Sequence, residues 1–140
     1  MRVATQLSVF LENRAGVLAS VASDLARHGI GIRALTIATL ADHAVVRLVV
    51  SEPRKALHLF GDRGVLAVAS SVLAVELSDD TGTLAAMARQ LGRAGVNIEY
   101  AYGSSPGGSG RAVVYLHPSD FKKARAAFRP TARRAGPRRR

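Results

Sequence analysis

The chain has 140 residues, of which 48% are hydrophobic, a formal net charge of +10 and no cysteine. This length fits one ordinary domain or two very small ones with a packed core. The absence of cysteine excludes disulfides and thiolate metal sites and is compatible with a reducing compartment. We predict a soluble cytoplasmic protein, because no apolar run reaches the roughly 18 residues of a membrane span and the N-terminus lacks the apolar region of a signal peptide.

The positive charge is concentrated near the C-terminus. Nine basic residues occur from Lys122 onward and no acid follows Asp120, so subtracting nine from +10 leaves about +1 for residues 1–121. We expect residues 130–140 to form a disordered, solubilising basic tail. Nucleic-acid binding through this tail is the alternative, although no aromatic residue interleaves its arginines for base stacking.

The chain begins with a strand, a turn and a helix. Alternating apolar and polar residues predict a strand over Val3–Leu11, and a turn follows at Glu12–Gly16. Apolar residues three and four positions apart predict a helix over about Val17–His28, with Gly29 as its left-handed ending residue. Such a turn exposes the free N–H groups of a helix N-terminus, which suit a carboxylate. The turn could equally serve only to cap the helix.

The rest of the first half alternates strand and helix patterns. Strands are predicted over Ile30–Leu40 and Ala44–Val50, joined by a tight turn. A short helix begins near Pro53 and ends before Gly61. The apolar segment Val65–Leu77 must contain one or two strands.

The second half repeats this order of elements. We predict strands over Val72–Leu77, Val96–Tyr102 and Arg111–His117, helices over Thr83–Ala94 and Pro118–Phe128, and a flexible loop over Gly103–Gly110. That loop lacks the following helix of a dinucleotide-binding fingerprint.

The two halves are related by a shift of 66 residues. Gly16 falls on Gly82 and Gly29 falls on Gly95, which are each 66 positions further on. A period of this length indicates a duplicated small domain. Because a unit of about 65 residues buries a limited core, we expect the two units to pack together and join their sheets, which removes exposed edges. The predicted domains are 1–69 and 70–129, followed by the tail.

The repeated pattern resembles the ACT domain, a ferredoxin-like βαββαβ module that senses small molecules, mostly amino acids. The resemblance rests on Glu12–Leu18 in the first half and on Asp79–Leu84 and Gly95–Ile98 in the second. The segment Asn97–Tyr102 is similar to stand-alone tandem ACT proteins, and the resemblance covers about residues 3–128. It implies an α+β fold of two ACT domains, with antiparallel sheets side by side and helices on one face.

In ACT proteins a ligand commonly lies between the first strand–helix turn of one domain and the segment after the first helix of its partner. The resemblance therefore implies a site formed by Leu11, Asn13, Arg14, Ala15, Gly16, Val17, Leu18, Asn97, Ile98 and Tyr100. A weaker second site would comprise Asp79, Asp80, Thr81, Gly82, Thr83, Leu84, Gly31 and Ile32. The backbone at Gly16 can approach a ligand closely, and an Asn side chain can both donate to and accept from an amino-acid head group.

The two sites differ in charge and polarity. Asp79 and Asp80 would repel a carboxylate, so we expect one competent site and one ligand per chain. Some amino-acid-sensing members carry His at the position of Leu11. The leucine here favours a ligand with an apolar side chain. Tyr100 and Tyr102 share a strand face and are expected to pack between repeats or between chains.

We expect a regulatory amino-acid-binding protein rather than an enzyme, because no nucleophile–base set or phosphate loop stands out. The four histidines are scattered without metal-ligand spacing, so neither a metal nor a cofactor is expected. The implied partners are an amino acid, a second copy of the chain in a homodimer, and an enzyme or other protein. Nucleic-acid binding is the alternative function, and a small regulatory subunit of an enzyme such as acetolactate synthase is a further one.

Overall fold

The computed structural model describes residues 1–78, 81–104 and 111–128. Ten elements follow one another in these ranges: β1 (Arg2–Glu12), α1 (Val17–Arg27), β2 (Ile32–Leu40), β3 (His43–Val50), α2 (Pro53–Asp62), β4 (Ala67–Ser78), α3 (Thr83–Arg93), β5 (Ile98–Ser104), β6 (Arg111–Pro118) and α4 (Phe121–Ala127). No helix among these residues is both long and apolar enough to cross a membrane.

The strands form one six-stranded sheet in the order β2-β3-β1-β4-β6-β5, and all neighbouring strands are antiparallel. Successive side chains of a strand point to opposite faces of the sheet. The helices pack on the face that carries one of these two sets of side chains. Leu7 and Val9 of β1 therefore pack with α1 and α2, and Leu73 and Val75 of β4 pack with α3 and α4. The predicted α+β fold, with antiparallel strands side by side and helices on one face, is confirmed.

The two repeats meet at a pseudo-twofold axis between β1 and β4. Thr5 pairs with Ser71, which lies 66 residues later and is its own counterpart in the second repeat. Leu7 pairs with Leu48 of β3 just as Leu73 pairs with Leu116 of β6. Each repeat therefore consists of β-α-β-β-α, and the two first strands join the halves into a continuous sheet.

β4 is a single strand, which settles the prediction of one or two strands over residues 65–77. Its first part, Ala67–Ala74, pairs with β1, and its last part, Leu73–Ser78, pairs with β6. The amino-terminal half of β4 thus occupies the place of a fourth strand beside β1. The predicted domain boundary between residues 69 and 70 falls inside β4, and the division into 1–69 and 70–129 stays a prediction.

Element ends follow local chemistry closely. Gly29 has a φ of 70° and is the predicted left-handed residue after α1, and Pro53 is at the start of α2. α4 begins at Phe121 rather than at Pro118, because Asp120 caps it with an extended backbone. The predicted tail at 130–140 and most of the predicted 103–110 loop lie outside the described residues.

The sheet face without helices is concave, and tyrosines of the second repeat pack across it against the first repeat. We refer to the surface formed by Gln6, Arg47, Tyr100, Tyr102 and Tyr115 as the concave face. Gln6 is fully buried; its Nε2 donates to the Tyr100 hydroxyl (2.7 Å), and its Oε1 accepts from the Tyr102 hydroxyl (2.7 Å). The Arg47 guanidinium lies 4.0 Å from the centre of the Tyr100 ring. Since β1 and β5 are three positions apart in the sheet, these contacts require the sheet to curl.

Candidate ligand-binding site

The turn between β1 and α1 is fixed by the neighbouring hairpin. The Asn13 N–H donates to the Asp42 carbonyl (2.7 Å), and Asn13 Nδ2 donates to the Ala41 carbonyl (3.0 Å). Gly16 precedes α1 with a φ of 84°, and no side chain caps the helix. A β-carbon would be strained at this φ, so glycine suits the turn. The amide of Asn13 is thus engaged with its own repeat.

A cavity of about 450 Å³ lies between this turn, α1 and the segment that joins α2 to β4. This volume is within the roughly 300–1,000 Å³ typical of small-molecule sites. Its apolar wall is formed by Leu11, Val17, Val21, Phe60 and Val65. The wall offers apolar surface to a ligand side chain.

Two ion pairs border the cavity. Asp24 lies 3.4 Å from Arg63, also pairs with Arg27, and its side chain is only 18% exposed. Glu12 and Arg14 lie 3.0 Å apart, but both side chains are largely exposed. Charge interactions are stronger where water is partly excluded. Water therefore screens the Asp24–Arg63 pair less than it screens the Glu12–Arg14 pair.

Only part of the predicted first site lines this cavity. Leu11, Arg14 and Val17 line it directly. The remaining residues of the predicted segment lie beside the cavity: Asn13, Ala15 and Gly16 precede α1, and Leu18 is the second residue of that helix.

The predicted opposite wall lies elsewhere in the chain. The Asn97 N–H donates to Ser119 Oγ (2.9 Å), and the Ser119 N–H donates to the Asn97 carbonyl (2.8 Å). Ile98 of β5 pairs with Pro118 of β6, and Tyr100 belongs to the concave face. None of Asn97, Ile98 and Tyr100 is among the described residues that line the cavity beside the turn, which lies on the helix-covered face of the sheet.

The residues of the predicted second site are likewise divided between the two repeats. Thr81, Gly82, Thr83 and Leu84 form the turn and start of α3, and Gly82 has a φ of 93°. Asp79 and Asp80 lie outside the described residues.

Gly31 and Ile32 lie in the first repeat, where the Gly31 N–H donates to Ser51 Oγ (2.9 Å). This contact repeats the bond between Asn97 and Ser119. Both segments after the first helix of a repeat are thus tied to the start of that repeat's second helix.

Sequence reasoning missed Asp24, Phe60 and Arg63. A signal for Asp24 was present, since it lies three residues after Val21 and seven after Val17, on the helix face that turns inward. A carboxylate within an apolar stripe is unusual enough to mark a site. Arg63 and Phe60 gave no comparable signal, because they reach the cavity only through the packing of α2.

The comparisons with known proteins agree on the fold. The family model described as an ACT domain pair matches residues 1–127. Protein BT0572 from Bacteroides thetaiotaomicron is 35% identical, with a TM-score of 0.84 over 89% of this chain and 85% of that chain. The ligand-free regulatory subunit of aspartate kinase from Thermus thermophilus is 18% identical, with a TM-score of 0.65 over 92% of this chain and 99% of that chain.

The corresponding regulatory subunit from Thermus flavus is 17% identical, with a TM-score of 0.57 over 92% of this chain and 98% of that chain. At these identities the two aspartate kinase subunits show the fold alone. The comparison with curated proteins gave no match. The match over residues 1–127 and the repeated β-α-β-β-α units place this chain in the ACT family, as an ACT domain pair.

Proposed function

We propose that this protein is a non-catalytic regulatory sensor that binds an α-amino acid with an apolar side chain in the cavity beside the β1–α1 turn. The observation that carries the proposal is the cavity itself, in which a partly buried acid–base pair borders an apolar wall. Membership of the ACT family, as an ACT domain pair, supports a regulatory role.

The charges of the cavity match those of an amino-acid head group. An α-amino acid carries a carboxylate and an ammonium on one carbon, and Asp24 and Arg63 present the complementary charges 3.4 Å apart. In this proposal Arg63 binds the carboxylate and Asp24 accepts from the ammonium. The ligand side chain then lies on Val17, Val21 and Val65, in line with the apolar preference expected from Leu11.

The position of the cavity offers a route to the second repeat. Gly64, Val65 and Leu66 contribute to the cavity and lead directly into β4. β4 pairs with β1 of the first repeat and with β6 of the second. A ligand that binds one arrangement of this segment better than another would shift the packing between the repeats, and so the affinity for a partner protein.

The predicted contact between the turn and Asn97 is proposed for a homodimer. Within one chain these segments lie on separate parts of the sheet, so the contact requires a second copy of the chain. Asn97→Ala would then weaken amino-acid binding only under conditions in which the protein is dimeric, as sedimentation can determine.

Calorimetric titration with the twenty amino acids tests the sensor function. We expect about one site per chain and a preference for apolar side chains. Asp24→Asn should weaken binding by about tenfold or more, because it removes a charge-assisted bond to the ammonium. Glu12→Gln is the matched control and should have a smaller effect, since Glu12 is largely exposed.

Two results would argue against this proposal. If Glu12→Gln weakens saturable binding as much as Asp24→Asn does, the amino-acid head group does not bind specifically at Asp24 and Arg63. If no amino acid binds, the protein is not an amino-acid sensor.

A chain truncated before residue 130 should bind amino acids as the full chain does. Loss of salt-sensitive nucleic-acid binding on truncation would instead support the alternative function of the basic tail.

A further inference from the structure

A second cavity lies on the opposite face of the sheet from the amino-acid cavity. It has a volume of about 300 Å³ and lies between β2 of the first repeat and β5 of the second. These are the two edge strands of the sheet, and the curl of the sheet brings them together. The cavity thus exists only because the two repeats share one sheet.

The wall of this cavity is aromatic and held in place. Tyr102 and Tyr115 line it, with nearly parallel rings whose centroids are 5.6 Å apart. The Tyr102 hydroxyl is bonded to the fully buried Gln6. Gly103 passes so close to β6 that a β-carbon there would overlap the Val113 carbonyl oxygen. The aromatic surface is therefore preorganised by contacts on three strands.

The charge of the cavity is positive. Arg33 and Arg111 line it, and no carboxylate is among the described residues of its lining. Glu76 lies 3.2 Å from Arg111 and offsets part of that charge from outside the lining. Arg33 lies at a break in the pairing of β2 with β3, between Ile32 and Ala34. Irregularities of this kind commonly redirect a side chain next to a functional site.

The two cavities differ in the charges that they offer. The cavity beside the β1–α1 turn has acids and bases and suits a zwitterion. The cavity on the concave face has two arginines and aromatic rings. The two arginines would repel an ammonium group, whereas a carboxylate can accept from their guanidinium groups.

We propose that the cavity between β2 and β5 binds a small organic carboxylate that has a flat apolar body and no ammonium group, with Arg33 and Arg111 on its carboxylate and Tyr102 and Tyr115 on its body. This site is separate from the proposed amino-acid site and does not depend on it. The ligand would bridge the two repeats and stabilise their packing.

The test uses three related compounds: 3-phenylpropanoate, its uncharged amide 3-phenylpropanamide, and L-phenylalanine, which adds only an α-ammonium. All three tyrosines of the chain belong to the concave face and there is no tryptophan, so tyrosine fluorescence of the full-length protein reports on this face. We expect a saturable change with 3-phenylpropanoate and at least about tenfold weaker response to the amide, because a charged hydrogen bond is lost.

Variants locate the binding. Arg33→Gln and Arg111→Gln should each weaken 3-phenylpropanoate binding by about tenfold, whereas Arg89→Gln, an exposed arginine of α3, should not. Asp24→Asn, which tests the amino-acid site, should leave it unchanged. Equal responses to acid and amide, or full binding by both Arg33→Gln and Arg111→Gln, would overturn the proposal. L-phenylalanine binding that depends on Arg33 rather than on Asp24 would also contradict it.

Discussion

Gln6 is the residue on which the concave face most depends. It is the one buried polar side chain recorded among the described residues, and both ends of its amide are bonded to tyrosines of the other repeat. A buried amide is costly unless each of its groups finds a partner. Its counterpart 66 residues later is Val72, so this polar link occurs once and makes the two repeats unequal.

Tyr102 should titrate at unusually high pH. Burial raises its pKa, the neighbouring Tyr100 and Tyr115 raise it further, and Arg47 partly opposes the increase. The phenol is therefore retained in the native state above the ordinary pKa of about 10. A group whose native pKa is raised contributes stability that is complete below the unfolded pKa and is lost as pH rises through the native pKa.

Phenolate absorbance measured during alkaline titration tests this expectation. We expect Tyr102 to ionise late, together with unfolding, and Tyr102→Phe to remove that late step. Ionisation of all three tyrosines near the ordinary pKa while the protein remains folded would contradict the burial of Tyr102.

The helices differ in how their first turns are capped. α1 and α3 follow Gly16 and Gly82 without a side-chain cap, whereas Asp120 caps α4 by accepting from the Lys123 N–H (2.9 Å). Free N–H groups at the start of α1 lie beside the proposed amino-acid cavity. In α4 the Asp120 carboxylate accepts from one of the corresponding N–H groups, so this helix start has a structural role.

Asp120→Ala should destabilise the protein by about 1 kcal/mol, the usual effect of losing an N-cap. The free energy of unfolding in urea measures this change. Asp120→Asn and Asp120→Ser are the controls, because each retains an acceptor oxygen at the cap and should recover most of the loss. An equal loss in all three variants would show that the cap does not determine the effect.

At the scale of the whole molecule, the continuous sheet makes the two repeats one structural unit. β1 and β4 pair over eight positions around Thr5 and Ser71. A repeat on its own would leave this strand edge exposed and would bury a small core. We therefore expect the two halves to unfold together.

Leu7→Ala and Leu73→Ala test this cooperativity, since the two leucines are fully buried counterparts in the two repeats. Each should cost about 2–5 kcal/mol. All tyrosines belong to the second repeat, whereas circular dichroism reports on both. Leu7→Ala should shift the fluorescence and dichroism transitions equally. A fluorescence transition that Leu7→Ala leaves in place would show that the repeats unfold separately.

Much of this fold could be predicted from the sequence because it depends on local patterns. The period of two in Val3–Leu11 and the spacing of three and four in α1 each place one side of an element toward the core. The glycines at 16 and 82 mark both turns, and the repeated pattern indicated an ACT pair. Tyr100 and Tyr102 were expected to pack between repeats or between chains, and their bonds to Gln6 join the two repeats.

The tertiary structure alone decided which groups share a cavity. The resemblance to ACT proteins implied that the turn of the first repeat and Asn97 form opposite walls of one site, but the β1–β4 register around Thr5 and Ser71 puts them on separate parts of the sheet. The same register and the curl bring Arg33 of β2 close to Tyr102 of β5, which no local pattern indicates. Hydrophobic periodicity determines which side of an element is buried, whereas the pairing and curvature of distant strands depend on the packing of the whole sheet.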